Sequence, residues 1–266
     1  MSTLEPNDAG LPQPPHARDS AWAPPVERLE VAGVPQGAIN LNVAGHRVAG
    51  PLQGFGQLWQ KTYRVRLSGA LVSPQEVIQA WRENFPAFWP KGNNFYAPLT
   101  RIEPGEVAVL NLALPGGMKL STGVRVIYAD EESFSFMTPE GHMYAAMITF
   151  SAFGEDGATV AQVQPLIRAS DPLYEIGMRL GFGHKMEDDF WHHTLRALAA
   201  HFRVHGAPVD QKNTLVDPKL QWQYTRSIWN NAAIRSTIYV AATPVRWIGK
   251  LFNRKDRNNG RDIGTP

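Results

Sequence analysis

Cysteine is absent from all 266 residues. With it go disulfides, thiolate nucleophiles, iron–sulfur clusters and cysteine zinc sites. No stretch reaches the roughly 18 consecutive apolar residues of a membrane-spanning helix. Between Met1 and Pro25 no apolar run follows a basic one, so no secretory signal is read there. Phosphate loops and serine-hydrolase elbows are missing as well. Neither Pro115-Gly116-Gly117 nor Gly181-Phe182-Gly183 leads into a lysine–serine/threonine pair, and no Gly-x-Ser-x-Gly occurs. Net charge is small, +2. Its excess sits at the end of the chain, in Arg226, Arg235, Arg246, Lys250, Arg254, Lys255, Arg257 and Arg261 against Asp256 and Asp262. A body so nearly neutral argues against nucleic acid as a partner. What is left is a cytoplasmic protein with no cofactor implied.

Hydrophobic residues make up 43% of the chain, enough for a well-filled core. Residues 1–28, with Pro12, Pro14, Pro15, Pro24 and Pro25, bury too little apolar surface to offset ordering and read as disordered. Residues 29–57 read as a short hairpin and linker, with Ala38–Val43 and His46–Ala49 flanking Ala44-Gly45. From Leu58 to Leu67 the chain alternates. Trp59, Tyr63, Val65 and Leu67 share one face, and Gln60, Thr62, Arg64 and Arg66 the other, as in a half-buried strand. Ser73-Pro74-Gln75-Glu76 starts a helix that carries Val77, Ile78 and Trp81 and ends before Pro86.

Five strand-like segments follow at Val107–Leu114, Thr122–Ala129, Ser133–Thr138, Met143–Phe153 and Thr159–Arg168. Their short connectors imply antiparallel pairing. Asp171–Val204 reads as a long helix with a break at Gly181-Phe182-Gly183. Its apolar stripe runs through Phe190, Trp191, Leu195, Leu198, Ala199 and Phe202. A sheet can bury one such stripe only by curling around it. The predicted fold class is therefore α+β, an antiparallel sheet wrapped on a long C-terminal helix, over residues 58–205.

That order of elements, with Gly123-Val124-Arg125-Val126-Ile127-Tyr128 followed by Pro139-Glu140-Gly141-His142 and the terminal helix, resembles the START-related, helix-grip superfamily that includes polyketide cyclases. The resemblance is to an uncharacterised bacterial branch of it. It implies an internal cavity for a hydrophobic ligand and carries over no catalytic motif.

Inward-facing candidates for such a cavity are Trp59, Tyr63, Phe134, Phe136, Met143, Met147, Phe190, Trp191 and Leu195, each of which could equally be core. Polar residues inside apolar strands are more telling, because burying them costs free energy unless they are paired. These are Asn111, Arg125, His142, Tyr144, Gln164 and Arg168. Arg125 suits an anionic head group and His142 acid–base work. His184, His192, His193, His201 and His205 crowd the terminal helix. The inward stripe turns most of them outward, no known metal signature is present, and no metal is assigned.

Residues 206–254 read as a linker and a basic amphipathic helix. On a helical wheel Ile234, Ile238, Ala241, Val245, Ile248 and Phe252 cluster, with Arg235, Arg246, Lys250 and Arg254 opposite and Trp229 and Trp247 flanking. That pattern suits a membrane interface, with Trp229, Ile234, Arg235, Ile238, Arg246, Trp247 and Lys250 as contacts; packing on the domain or on a partner is the alternative. Residues 255–266 read as a disordered tail. The functions left open are binding or transfer of an apolar small molecule or lipid, with an anionic membrane surface as a further partner; an enzyme of cyclase, isomerase or hydrolase type using the same cavity; and a non-catalytic interaction module.

Overall fold

The computed structural model describes residues 19–31, 33–34, 36–96, 102–114 and 119–242. Strand β1 (Val48–Ala49) precedes β2 (Leu58–Arg66), and helix α1 (Pro74–Asn84) follows. Ser73 caps α1: its hydroxyl accepts from Glu76 N–H at 3.2 Å, and Glu76 accepts from Ser73 N–H at 2.7 Å. That reciprocal cap contributes about 0.5–2 kcal/mol. A 3-10 turn, Phe85–Phe88, leads to β3 (Asn94–Tyr96). The meander then runs β4 (Val107–Ala113), β5 (Lys119–Ala129), β6 (Ser133–Pro139), β7 (Tyr144–Glu155) and β8 (Ala158–Ala169). Next come α2 (Pro172–Arg179), α3 (Phe182–His201), β9 (Val209–Asp217), a 3-10 stretch at Trp222–Asn230, and α4 (Ala232–Ala241).

All pairing is antiparallel, in the order β3-β4-β5-β6-β7-β8-β2-β9, with β1 added to β6. The sheet grips α3, which buries Trp191, Leu195, Leu198 and Ala199 against Tyr63, Phe134 and Phe150. Each of those large side chains contributes roughly 1.5–3 kcal/mol by burial. This is the helix-grip arrangement expected from the element order. The break before α3 is where Gly181 takes φ 82°, a left-handed value that a side chain would strain. Among the described residues no helix is long and apolar enough to cross a membrane.

Three expectations need correction. Residues 38–49 form no hairpin. Val48–Ala49 pairs with β6, while Val43 is buried with Leu29 against Val107 and Val109, in a notch left by Gly123. Of the segment read as disordered, residues 1–18 lie outside the described residues, but from Asp19 the chain lies on the sheet. Trp22 bridges and packs on Tyr128, and Ala23 N–H bonds Ile127 O. The stretch after residue 206 is not only linker, since β9 pairs with β2 along its whole length. Of the two readings left open for the helix after Asn230, α4 takes packing on the domain, against β5. Ala232 and Ser236 are buried, and Asn42 donates to Ser121 O (2.8 Å) and Ser236 Oγ (3.2 Å). Ile234 and Ile238 stay exposed. Arg246, Trp247, Lys250 and residues 255–266 lie outside the described residues.

A cavity with a buried carboxylate at the α2–α3 elbow

Between the sheet and α3 lies a cavity of about 110 Å³. Alternation turns Leu110 and Leu112 of β4, Val124 of β5, Phe136 of β6 and Ile148 of β7 toward it. Helix α3 contributes Met186, Glu187, Phe190 and Trp191, one helical face. Phe85, Trp89, His142, Met143 and Tyr144 complete the lining. The cavity opens into a cleft of about 730 Å³ lined by α2, the start of α3 and the end of β4, and the two share Asn93, Ala113, Leu114, Met143, Tyr144, Met186 and Phe190. The cleft lies between the α2–α3 elbow and the residues about Asn93 and Leu114. Tyr144 pins that elbow by donating its hydroxyl to Gly183 O at 2.9 Å.

Three ionisable groups reach the cavity wall, Glu187, His142 and Tyr144. Glu187 is buried, and desolvation pushes its carboxyl up to about 6, against the pull of Lys61. Lys61 lies 3.0 Å from Glu187 Oε2 and 2.7 Å from Asp188 Oδ1, and it is itself fully buried. Its contact with Glu187 lacks the alignment of a hydrogen bond, whereas Asp188 and, at 3.5 Å, His184 O accept from it. Tyr63 also donates to Asp188 Oδ1, at 2.5 Å, which ties β2 to α3. His142, buried in an apolar setting, is pushed down to about 4 and is neutral near pH 7.

The candidates read from sequence divide by position. Phe136, His142, Met143, Tyr144, Phe190 and Trp191 meet around the cavity. Phe134 and Leu195 are core beyond it, and Tyr63 serves Asp188. Trp59 packs edge-on to His184, and Met147, next to the lining Ile148, points to the other face of β7. Asn111 alternates away from Leu110 and Leu112 and donates to Gly37 O at 3.4 Å. Arg125, expected to meet an anionic head group, instead donates to Pro24 O at 2.6 Å on the far side of the sheet. Gln164 bonds Thr62, and Arg168 is engaged by Asp217 and Lys219 O. Among the expected membrane contacts Trp229, Ile234 and Ile238 are exposed, while Arg235 reaches Leu41 O at 3.4 Å.

Sequence reasoning missed Lys61, Glu187 and Asp188. The signals were present. Lys61 has the same parity as Trp59 and Tyr63, and residues 187 and 188 precede Trp191 by four and three, on the inward face.

No family model matches this chain, and no curated protein matches it. Among solved structures it is similar to Ara h 8.0201, at 13% identity over 55% of this chain and 98% of that one, with a TM-score of 0.42. It is similar to the di-domain ARO/CYC StfQ from the steffimycin biosynthetic pathway at 8% identity, over 55% of this chain and 51% of that one, TM-score 0.42. It is also similar to major latex-like protein 151 from Panax ginseng, at 13% identity over 55% and 99%, TM-score 0.38.

Proposed function

We propose that this protein binds a small apolar molecule that presents one proton-donating group to Glu187. The observation that carries this reading is a cavity walled by aliphatic and aromatic side chains with a carboxylate in its lining. A buried carboxylate costs free energy unless something pairs with it. A ligand that brings a hydroxyl, an amine or an acidic C–H makes good part of that cost. An apolar cavity of roughly 150 Å³ accepts benzene; one of about 110 Å³ takes the edge of a ring or a short branch, with the rest of the ligand lying in the cleft outside.

Titration calorimetry with 2-naphthol tests this, because the probe joins an apolar ring system to one donor. Wild-type protein binds it with a negative heat-capacity change. Leu112→Trp, which fills the cavity from β4, loses the binding while keeping its circular dichroism. Equal binding by the two proteins overturns the reading.

A second reading, docking on an anionic membrane, is favoured by the exposed Leu173, Ile176, Leu180 and Phe182 along α2 and the elbow. Leu173 and Phe182 line the cleft itself. Arg179 and Lys185 add exposed positive charge there, partly offset by Glu175 and Asp189. Such a rim would let an apolar ligand pass between bilayer and cavity without crossing water. Leu180→Ser/Phe182→Ser weakens sedimentation with phosphatidylserine vesicles if so, and unchanged sedimentation rules the rim out.

A further inference from the structure

Two polar groups of opposite character face the same apolar cavity, and the backbone fixes what one of them offers. Ser170 N–H donates to Met143 O, which makes Tyr144 and Ala169 a pair whose own backbone groups point away from each other. Tyr144 N–H is therefore turned from β8, and its acceptor is His142 Nδ1, at 3.0 Å. The Tyr144 carbonyl, 3.1 Å from the same nitrogen, already takes the Thr138 hydroxyl at 2.8 Å. Taken as the acceptor of Tyr144 N–H, Nδ1 leaves the imidazole proton on Nε2. A neutral ring with Nε2–H is a hydrogen-bond donor without charge. Glu187, held by Lys61 from β2, lines the same cavity.

We propose that Glu187 and His142 form a proton-transfer centre for small apolar carbonyl compounds. This rests on the reading of the cavity as a ligand site. Glu187 takes the proton from the carbon beside the carbonyl. The C–H electron pair forms the new C=C bond, and the carbonyl π pair moves to oxygen. His142 Nε2–H donates to that oxygen as its negative charge develops. Return of a proton from Glu187 to the same or a conjugated carbon completes an exchange or a double-bond shift, with no oxidant, reductant or second substrate.

Lys61 positions Glu187 and joins it to Asp188, whose side chain is 25% exposed. The cavity is continuous with the open cleft beside α2, and through it the carboxyl trades its proton with water. Around Glu187 the other titratable groups are Tyr63 and Lys61 of β2, Tyr144 of β7 and the adjacent Asp188. The two phenols are pushed further up by burial and stay protonated, so the pH response in the acid-to-neutral range belongs to Glu187.

The test uses 1-indanone, a compact apolar ketone with acidic C–H bonds. Deuterium uptake at its carbon 2 in D2O is followed by mass spectrometry, and its binding by calorimetry. Wild-type protein exchanges it faster than buffer, with a rate that rises with pH through about 6 and then levels. Glu187→Gln slows exchange by roughly 10²–10⁴-fold while indanone still binds. His142→Phe lowers the rate and leaves its pH profile in place.

Binding without exchange above buffer, or full exchange by folded Glu187→Gln, overturns the proposal and leaves the binding function standing. Absence of indanone binding to wild type overturns both. Should Glu187→Gln fail to fold, the wild-type pH profile decides: a rate flat between pH 5 and 7 overturns the assignment of Glu187 as the base.

Discussion

Replacing Lys61 by methionine removes the only cation within ion-pair distance of Glu187 among the described residues. Methionine matches the aliphatic stem, so the packing loss is small and the perturbation is electrostatic. Truncating one partner of a buried ion pair typically costs about 3–5 kcal/mol, because the other charge stays behind. Here two carboxylates are left, Glu187 in the dry cavity wall and Asp188 nearer the surface. For a domain of this size about 1 kcal/mol moves the melting temperature roughly 2–4 °C, so the expected fall is about 6–20 °C near neutral pH.

The pH dependence sharpens the test. Glu187 is already raised from its ordinary 4.5 to about 6, and without Lys61 it rises further. A raised carboxyl holds its proton more tightly folded than unfolded. Its favourable share is therefore intact below about 4.5 and is lost as pH climbs through the folded value. Lys61→Met must then cost more at pH 7.5 than at pH 5. Chemical denaturation at both pH values measures this, and Lys61→Met/Glu187→Leu should recover part of the loss. A cost below about 1 kcal/mol, or one equal at the two pH values, refutes the argument.

Two further perturbations follow from other parts of the fold. His142 is lowered from 6.5 to about 4, so the unfolded chain takes up a proton that the folded one refuses. Stability present above about 6.5 is then lost as pH falls toward 4, by about 3 kcal/mol in all; His142→Phe should flatten that acid limb in denaturant titrations, and an unchanged slope would assign it to other groups. At Gly141, φ is 87° and an added Cβ would overlap the Asn230 carbonyl. Gly141→Ala should therefore break the bond from Ala232 N–H to Gly141 O and release α4, visible as faster protease cleavage within residues 222–242; cleavage at the wild-type rate would show that the turn yields without moving α4.

How much of this was legible depends on whether burial left a period in the sequence. The meander β4–β8 was, because its strands are short apolar or alternating runs bounded by turn residues. Both α1, through its capping box, and α3, through its stripe and glycine break, were legible for the same kind of reason. Strand β9 was not. Asp210, Gln211, Lys212, Asn213 and Thr214 are exposed on both faces of an edge strand held by backbone bonding to β2, and such a strand has no alternation to read. Val43 was misread as part of a hairpin because its partner is the missing side chain of Gly123, which leaves no local mark.

In the site, His142, Tyr144 and Trp191 were readable as polar or aromatic breaks in apolar patterns. Lys61 was passed over because a lysine between Gln60 and Thr62 looks like solvent-facing strand. Only the register with Trp59 and Tyr63, combined with the carboxylates one layer above on α3, explains its burial. Pairing across separate elements is what single-element periodicity cannot carry.

The clasp of Asn42 on Ser236 and Ser121 has a consequence in time. The two ends of that clasp are 194 residues apart, and a ribosome adding roughly 5–20 residues per second takes about 10–40 s to make the second after the first. Through that interval the amide of Asn42 has only part of its acceptor set, and the notch at Gly123 is filled by a segment not yet locked down. The sheet and its inner helix can assemble before the clasp shuts. The order of synthesis therefore leaves the Asn42 segment waiting for α4, the same helix that leaves Ile234 and Ile238 facing outward.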